Sequence, residues 1–101
     1  MNLVEDILPE AEQDLVSHAE YLLEQNPSVT RRFAIAVNET IQMLCRSPDL
    51  GERFSADLTG QIRFRTISGF RNYLIFYRRV DTVLEILRVL HGARDYEDLF
   101  E

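Results

Sequence analysis

Apolar residues in the first half of the chain recur at helical spacing: Ala11, Leu15, Ala19, Leu22 and Leu23, with Glu12, Asp14, Glu20 and Glu24 between them. This spacing predicts an amphipathic helix over Glu10–Glu24 with an acidic outer face. Pro9 sits where a helix tolerates proline, and Glu10 and Glu12 complement the positive end of the helix dipole. Asn26-Pro27-Ser28 ends the pattern, because a residue preceding proline is pushed out of helical geometry, and Ser28 is placed to cap a second helix. Phe33, Val37, Ile41 and Leu44 mark that second stripe, predicted over Val29–Arg46 and stopped near Ser47-Pro48-Asp49-Leu50-Gly51. So short a link predicts an antiparallel helical hairpin. His18 is expected on the outer part of the first helix, without a role.

Past Gly60 the pattern changes. Ile62–Ile67, Arg71–Arg79 and Val83–Leu90 are β-rich and separated only by Ser68-Gly69 and Asp81-Thr82. Links this short join antiparallel strands, since a parallel crossover needs a dozen or more residues. A three-stranded meander is expected. Its last two strands are apolar on both faces, so one face is expected to take the helical hairpin and the other to be open to binding. Leu3–Leu8 reads as a short N-terminal strand and Asp95–Glu101 as a final acidic turn or short helix. The fold class is therefore α+β, in one domain over residues 1–101.

The net charge of −6 is unevenly distributed. Residues 1–52 carry a net −7, residues 53–94 a net +5 and residues 95–101 a net −4. All eleven basic residues are Arg. Arginine offers a fixed, permanently charged fork for carboxylate or phosphate, whereas a lysine base is unavailable to this chain. Cys45 is the single cysteine, which excludes an internal disulfide; it lies in an apolar helical stretch and is expected to be packed rather than reactive. No Cys and His cluster has zinc-ligand spacing, and nothing implies a metal or cofactor. The start of the sequence lacks the features of a signal peptide and no apolar run approaches a membrane span, so a cytoplasmic protein is expected.

Arg63 and Arg65 are two apart on a predicted strand and leave the same face, forming a paired cationic site, with Arg71, Arg78, Arg79, Arg88 and Arg94 enriching the same half. Such a patch suits phosphates or an acidic protein surface, although the same residues would also serve as solvated strand-edge charges or partners for the acidic helices. Tyr73 and Tyr77 share a strand face, where they could stack on a base, donate a hydrogen bond or fill the core. His91 could act as a general acid or base, with Arg94 and Tyr96 nearby in sequence, or could simply close a strand.

These motifs, in this order, resemble the RelE/ParE toxin superfamily on its ParE branch. The resemblance is carried by Pro9-Glu10-Ala11-Glu12-Gln13-Asp14-Leu15, Asn26-Pro27, Phe33, Leu44, Ser47-Pro48, Gly51 and Ile62-Arg63. Its most specific parts are Arg71-Asn72-Tyr73-Leu74-Ile75-Phe76-Tyr77-Arg78 and Ile86-Leu87-Arg88-Val89-Leu90-His91-Gly92-Ala93-Arg94-Asp95. It implies a strand, a helical hairpin and an antiparallel meander, and a cognate antitoxin as partner. ParE-like toxins poison DNA gyrase, whereas RelE-like relatives share the fold and cut mRNA on the ribosome. RelE-type cleavage commonly uses lysines, and this sequence has none, so gyrase inhibition is the favoured expectation. Target binding would then fall to Arg63, Arg65, Arg71, Tyr73, Arg78, Arg88 and Arg94, with nucleic acid touched only indirectly. An endonuclease would draw instead on Arg63, Arg65, Arg88, His91 and Tyr96. A third reading is a non-toxic member that only binds antitoxin within a repressor complex.

Overall fold

The structure is a computed structural model and describes residues 2–92. Strand β1 (Val4–Ile7) leads into helix α1 (Pro9–Gln25) and helix α2 (Pro27–Arg46). A short 3₁₀ turn at Pro48–Leu50 precedes β2 (Glu52–Arg53), β3 (Arg63–Ile67), β4 (Phe70–Val80) and β5 (Val83–His91). Each helix and strand expected from periodicity is present, with ends shifted by at most two residues. The cap of α2 differs: Asn26, not Ser28, is the capping residue, and its side-chain oxygen accepts from the Ser28 amide at 3.1 Å and the Ser28 hydroxyl at 2.8 Å. Pro27 takes the first helical position, where its missing N–H costs nothing.

The meander is part of a larger sheet. Five strands lie in the order β1-β5-β4-β3-β2, with β1 parallel to β5 and the other pairs antiparallel. Asp81 turns β4 into β5 in a left-handed conformation, φ 53°, which aspartate tolerates better than most residues. One extra residue of β5, Leu87, bulges where Phe76 faces Arg88 and Tyr77 faces Ile86. The bulge re-aims the side chains of β5 and sets Arg88 and Val89 for a role described below.

Both helices pack on one face of the sheet. Ala11 and Leu22 of α1 and Phe33, Val37, Ile41 and Leu44 of α2 meet Ile67, Tyr73, Ile75, Tyr77, Leu84, Ile86 and Val89. A smaller cluster on the opposite face joins Phe54, Phe76 and Leu90, flanked by Ile62, Phe64, Leu74 and Leu87. This is why β4 and β5 read as apolar on both faces. Thr40, buried in α2, donates to the Ala36 carbonyl at 2.7 Å and accepts the Ser68 amide at 3.2 Å, tying the helix to the β3–β4 turn. No helix among the described residues is long and apolar enough to cross a membrane.

Candidate functional site

Most of the arginines expected to bind a target are engaged within the fold. Arg63 donates to the Gly51 carbonyl at 2.8 Å and lies 3.7 Å from the Asp49 carboxylate, and Arg65 donates to the Leu50 carbonyl at 3.0 Å. From the neighbouring strand the Tyr77 hydroxyl donates to the Pro48 carbonyl at 2.7 Å and accepts the Gly51 amide at 2.8 Å. Arg63, Arg65 and Tyr77 thus form a clasp on residues 48–51. Burial raises the Tyr77 phenol above its ordinary pKa, opposed by the Gly51 amide and the two guanidinium groups. Gly51 has no alternative here, since a Cβ would collide with the Tyr77 ring and the Phe64 carbonyl.

Arg78 pairs across the strands with Glu85 at 2.7 Å, and Arg79 donates to the Asp81 carbonyl at 2.9 Å. Arg88 binds both oxygens of Asp14, at 2.7 and 3.0 Å. The same Asp14 accepts the Val89 amide at 3.0 Å, and His18, one turn further along α1, bonds the Val89 carbonyl at 2.7 Å. β1 stops at Ile7 opposite Ile86, so β5 beyond that point lacks a neighbouring strand on this side. Asp14 and His18 satisfy the amide and carbonyl that a strand would otherwise pair, sealing an exposed sheet edge.

His18 is therefore buried at 4 % exposure rather than on the outer surface, a correction with a definite cause: a side chain that reaches a backbone carbonyl at the sheet edge must face inward. Its ring also meets Tyr73 and Phe33 edge-on at centroid distances of 4.9 and 6.2 Å. Tyr73 stands on the helix side of β4, 6 % exposed, and packs edge-on against Phe33 and His91 at 4.9 and 5.0 Å. It fills the core and presents no ring for a partner to stack on. Tyr77 shares that face. Cys45 is buried as expected, and burial, with the nearby Glu5 charge, raises its thiol pKa.

Arg71 is exposed at the start of β4 and has no ion pair or hydrogen-bond partner among the described residues. Arg94, Tyr96 and the acidic segment Asp95–Glu101 lie outside the described residues. The described members of the endonuclease set are engaged separately: Arg63 and Arg65 hold the 48–51 turn, Arg88 holds Asp14, and His91 packs on Tyr73. Among the described residues no group of His, Cys, Asp and Glu could hold a metal ion.

A concave apolar surface lies elsewhere. A groove of about 370 Å³ opens between α1 and α2 and reaches the outer edge of β1. Its floor is Leu15, Phe33, Val37 and Ile41, its apolar walls include Val16, Ala19 and Ala34, and Glu5 and Glu12 sit on its rim. Val16 is 48 % exposed there. The rim adds to the acidic outer face of α1.

Residues 6–96 match the family described as the ParE toxin of the parDE type II toxin–antitoxin system. The chain belongs to the ParE toxin family. Its fold superposes on a chain from the structure titled "Chromosomal ParDE TA system from P. aeruginosa" with a TM-score of 0.73, at 14 % identity, covering 88 % of this chain and 95 % of that one. Among curated protein sequences none matches. For this toxin, sequence reasoning missed Asp14 and His18. The available signal was their four-residue spacing on the face of α1 that also carries Ala11 and Leu22.

Proposed function

We propose that this ParE-family toxin arrests growth by inhibiting DNA gyrase, and that a cognate antitoxin neutralises it by seating an amphipathic segment in the groove between α1 and α2. The single observation that carries the mode of action is the commitment of the endonuclease set's arginines to the fold: Arg63, Arg65 and Arg88 each bond a partner within the chain. Acid–base cleavage needs cationic groups free to stabilise the phosphate, converging on it together with the acid and the base. Binding needs only a shaped and charged surface, which favours inhibition of a protein target over mRNA cleavage.

The groove supports the second part. It is apolar along its floor and acidic at its rim, which fits a basic amphipathic segment laid into a groove. Occupancy would bury Val16 and screen Glu5 and Glu12. Purified chain is to be tested on gyrase supercoiling and, in parallel, on ribosome-bound mRNA. Inhibited supercoiling with intact mRNA is expected. Intact supercoiling with mRNA cut by the wild type, and not by His91→Ala, would reverse the assignment.

A further inference from the structure

The arginines divide into those the fold uses and those it leaves exposed. Arg63, Arg65, Arg78, Arg79 and Arg88 each donate to a group within the chain. Arg31, Arg32, Arg46, Arg53 and Arg71 have no ion pair or hydrogen-bond partner among the described residues, and all five are exposed. Of these, Arg31, Arg32 and Arg71 are linked by adjoining depressions. Arg31 and Arg32 flank a notch over the first turns of α2, beside Pro27 and Ser28. Arg32 also shares a shallow depression with Ile35, Gly69 and Phe70 of the β3–β4 turn, and Phe70 and Arg71 line the next one.

Local stability does not account for this placement. The first turn of α2 contains no acid, and cations near a helix N-terminus oppose the helix dipole. The amides of Ser28, Val29 and Thr30 are already taken by Asn26, so the positive potential there is presented by the two guanidinium groups. Between the cations Ile35 stands 51 % exposed, one turn beyond Arg31 and Arg32 on the helix. An exposed apolar residue with unpaired arginines one turn before it, and Glu39 one turn after, has the composition of a protein-binding patch, in which arginine and a desolvated apolar centre carry most of the energy.

α2 thus has two working faces. Thr30, Ala34, Val37 and Asn38 line the groove shared with α1, whereas Arg32, Ile35, Ala36 and Glu39 turn away from it. We infer that the second face, with Arg31 and Arg71, is where the toxin docks on its target, and that the target presents carboxylates around an apolar recess that accepts Ile35. The inference rests on the proposal that the chain acts by binding a protein. Charge complementarity selects the partner: on a chain of net charge −6, an acidic surface is repelled by the α1 side and steered to this end.

The test compares growth arrest on expression of the wild type with that of Arg31→Glu/Arg32→Glu/Arg71→Glu, of Ile35→Glu, and of Arg46→Glu/Arg53→Glu as a control at exposed arginines elsewhere. The triple variant and Ile35→Glu are expected to lose arrest, and purified triple variant to need about tenfold or more protein for any supercoiling inhibition, since charge reversal opposes both encounter and docking. Their melting temperatures and antitoxin co-elution should match those of the wild type and the control. Undiminished arrest by the triple variant would overturn the inference and leave gyrase inhibition standing. Supercoiling untouched by wild type that still arrests growth would sink the gyrase reading alone, with the arrest assay still deciding this one. If the wild type, and not the triple variant, retards a short duplex DNA or RNA at physiological salt, the partner is nucleic acid and the acidic-protein assignment is wrong.

Discussion

Tyr77, Asp14 and Asp57 show how single side chains fix backbone that regular structure leaves unpaired. Tyr77→Phe removes a donor to Pro48 and orphans the Gly51 amide, and should lower stability by about 1–2 kcal/mol in urea unfolding. Asp14→Ala removes the acceptor of two Arg88 N–H groups and of the Val89 amide. A loss of about 2–3 kcal/mol is expected, because a charge-assisted pair and a backbone amide lose their acceptor at once. Asp57 is at the surface, yet its carboxylate accepts the amides of Ile62, Gln61 and Thr59 and the Thr59 hydroxyl. These donors, the Ile62 amide foremost, hold its pKa at about 2, below the usual 3.8. A depressed carboxylate stabilises the loop above its unfolded pKa, and that contribution fades as pH falls from 3.8 toward about 2. NMR titration of the Asp57 carboxyl should give its midpoint near the lower value, with the Ile62 and Thr59 amide shifts following it; a midpoint near 3.8 would refute the loop geometry.

At the scale of elements, α2 has two exposed faces, each proposed to serve a different partner. Val16→Glu and Ala34→Glu place charges at exposed positions of the α1–α2 groove. Calorimetry should show antitoxin affinity falling about tenfold or more, as expected when a buried apolar contact receives an unpaired charge, with the melting temperature of the free chain nearly unchanged. Retained affinity would place the antitoxin elsewhere. α1, by contrast, is structural on its inner face, where Asp14 and His18 complete the hydrogen bonding of β5 beyond the end of β1. Hydrogen exchange should find the Val89 amide among the protected positions, although no strand pairs with it on that side.

For the whole molecule, a chain of 101 residues buries a limited share of its surface, so a bound partner changes its stability measurably. Saturating antitoxin at about a hundredfold over Kd should stabilise the native state by roughly 2.7 kcal/mol and raise the melting temperature in proportion. Equal melting curves with and without antitoxin would remove the proposed complex. The uneven charge has a second consequence. Toxicity carried by Arg31, Arg32 and Arg71 should weaken as salt is raised, whereas groove binding with an apolar floor should weaken less.

The sequence by itself determined the two helices, the N-terminal strand and the three-stranded meander in their order, but not the two-residue β2. Apolar spacing switches from a helical period in Ala11–Leu44 to β-rich runs after Gly60, and that switch follows from local geometry, which needs no knowledge of what packs where. It also carried the family, through blocks such as Arg71–Arg78 and Ile86–Asp95 that keep their order along the chain. Tertiary structure decided which polar residues remain available. Arg63 and Arg65 share a face as their spacing requires, but whether a guanidinium meets solvent or the carbonyls of Leu50 and Gly51 depends on a turn about fifteen residues away in sequence. His18 is on α1 as expected, yet its inward aim depends on where β1 ends beside β5, a long-range pairing of Ile7 with Ile86. A local pattern fixes the backbone path of a segment, whereas the pairing of a polar side chain is settled by groups distant in sequence that only the assembled fold brings within hydrogen-bond reach.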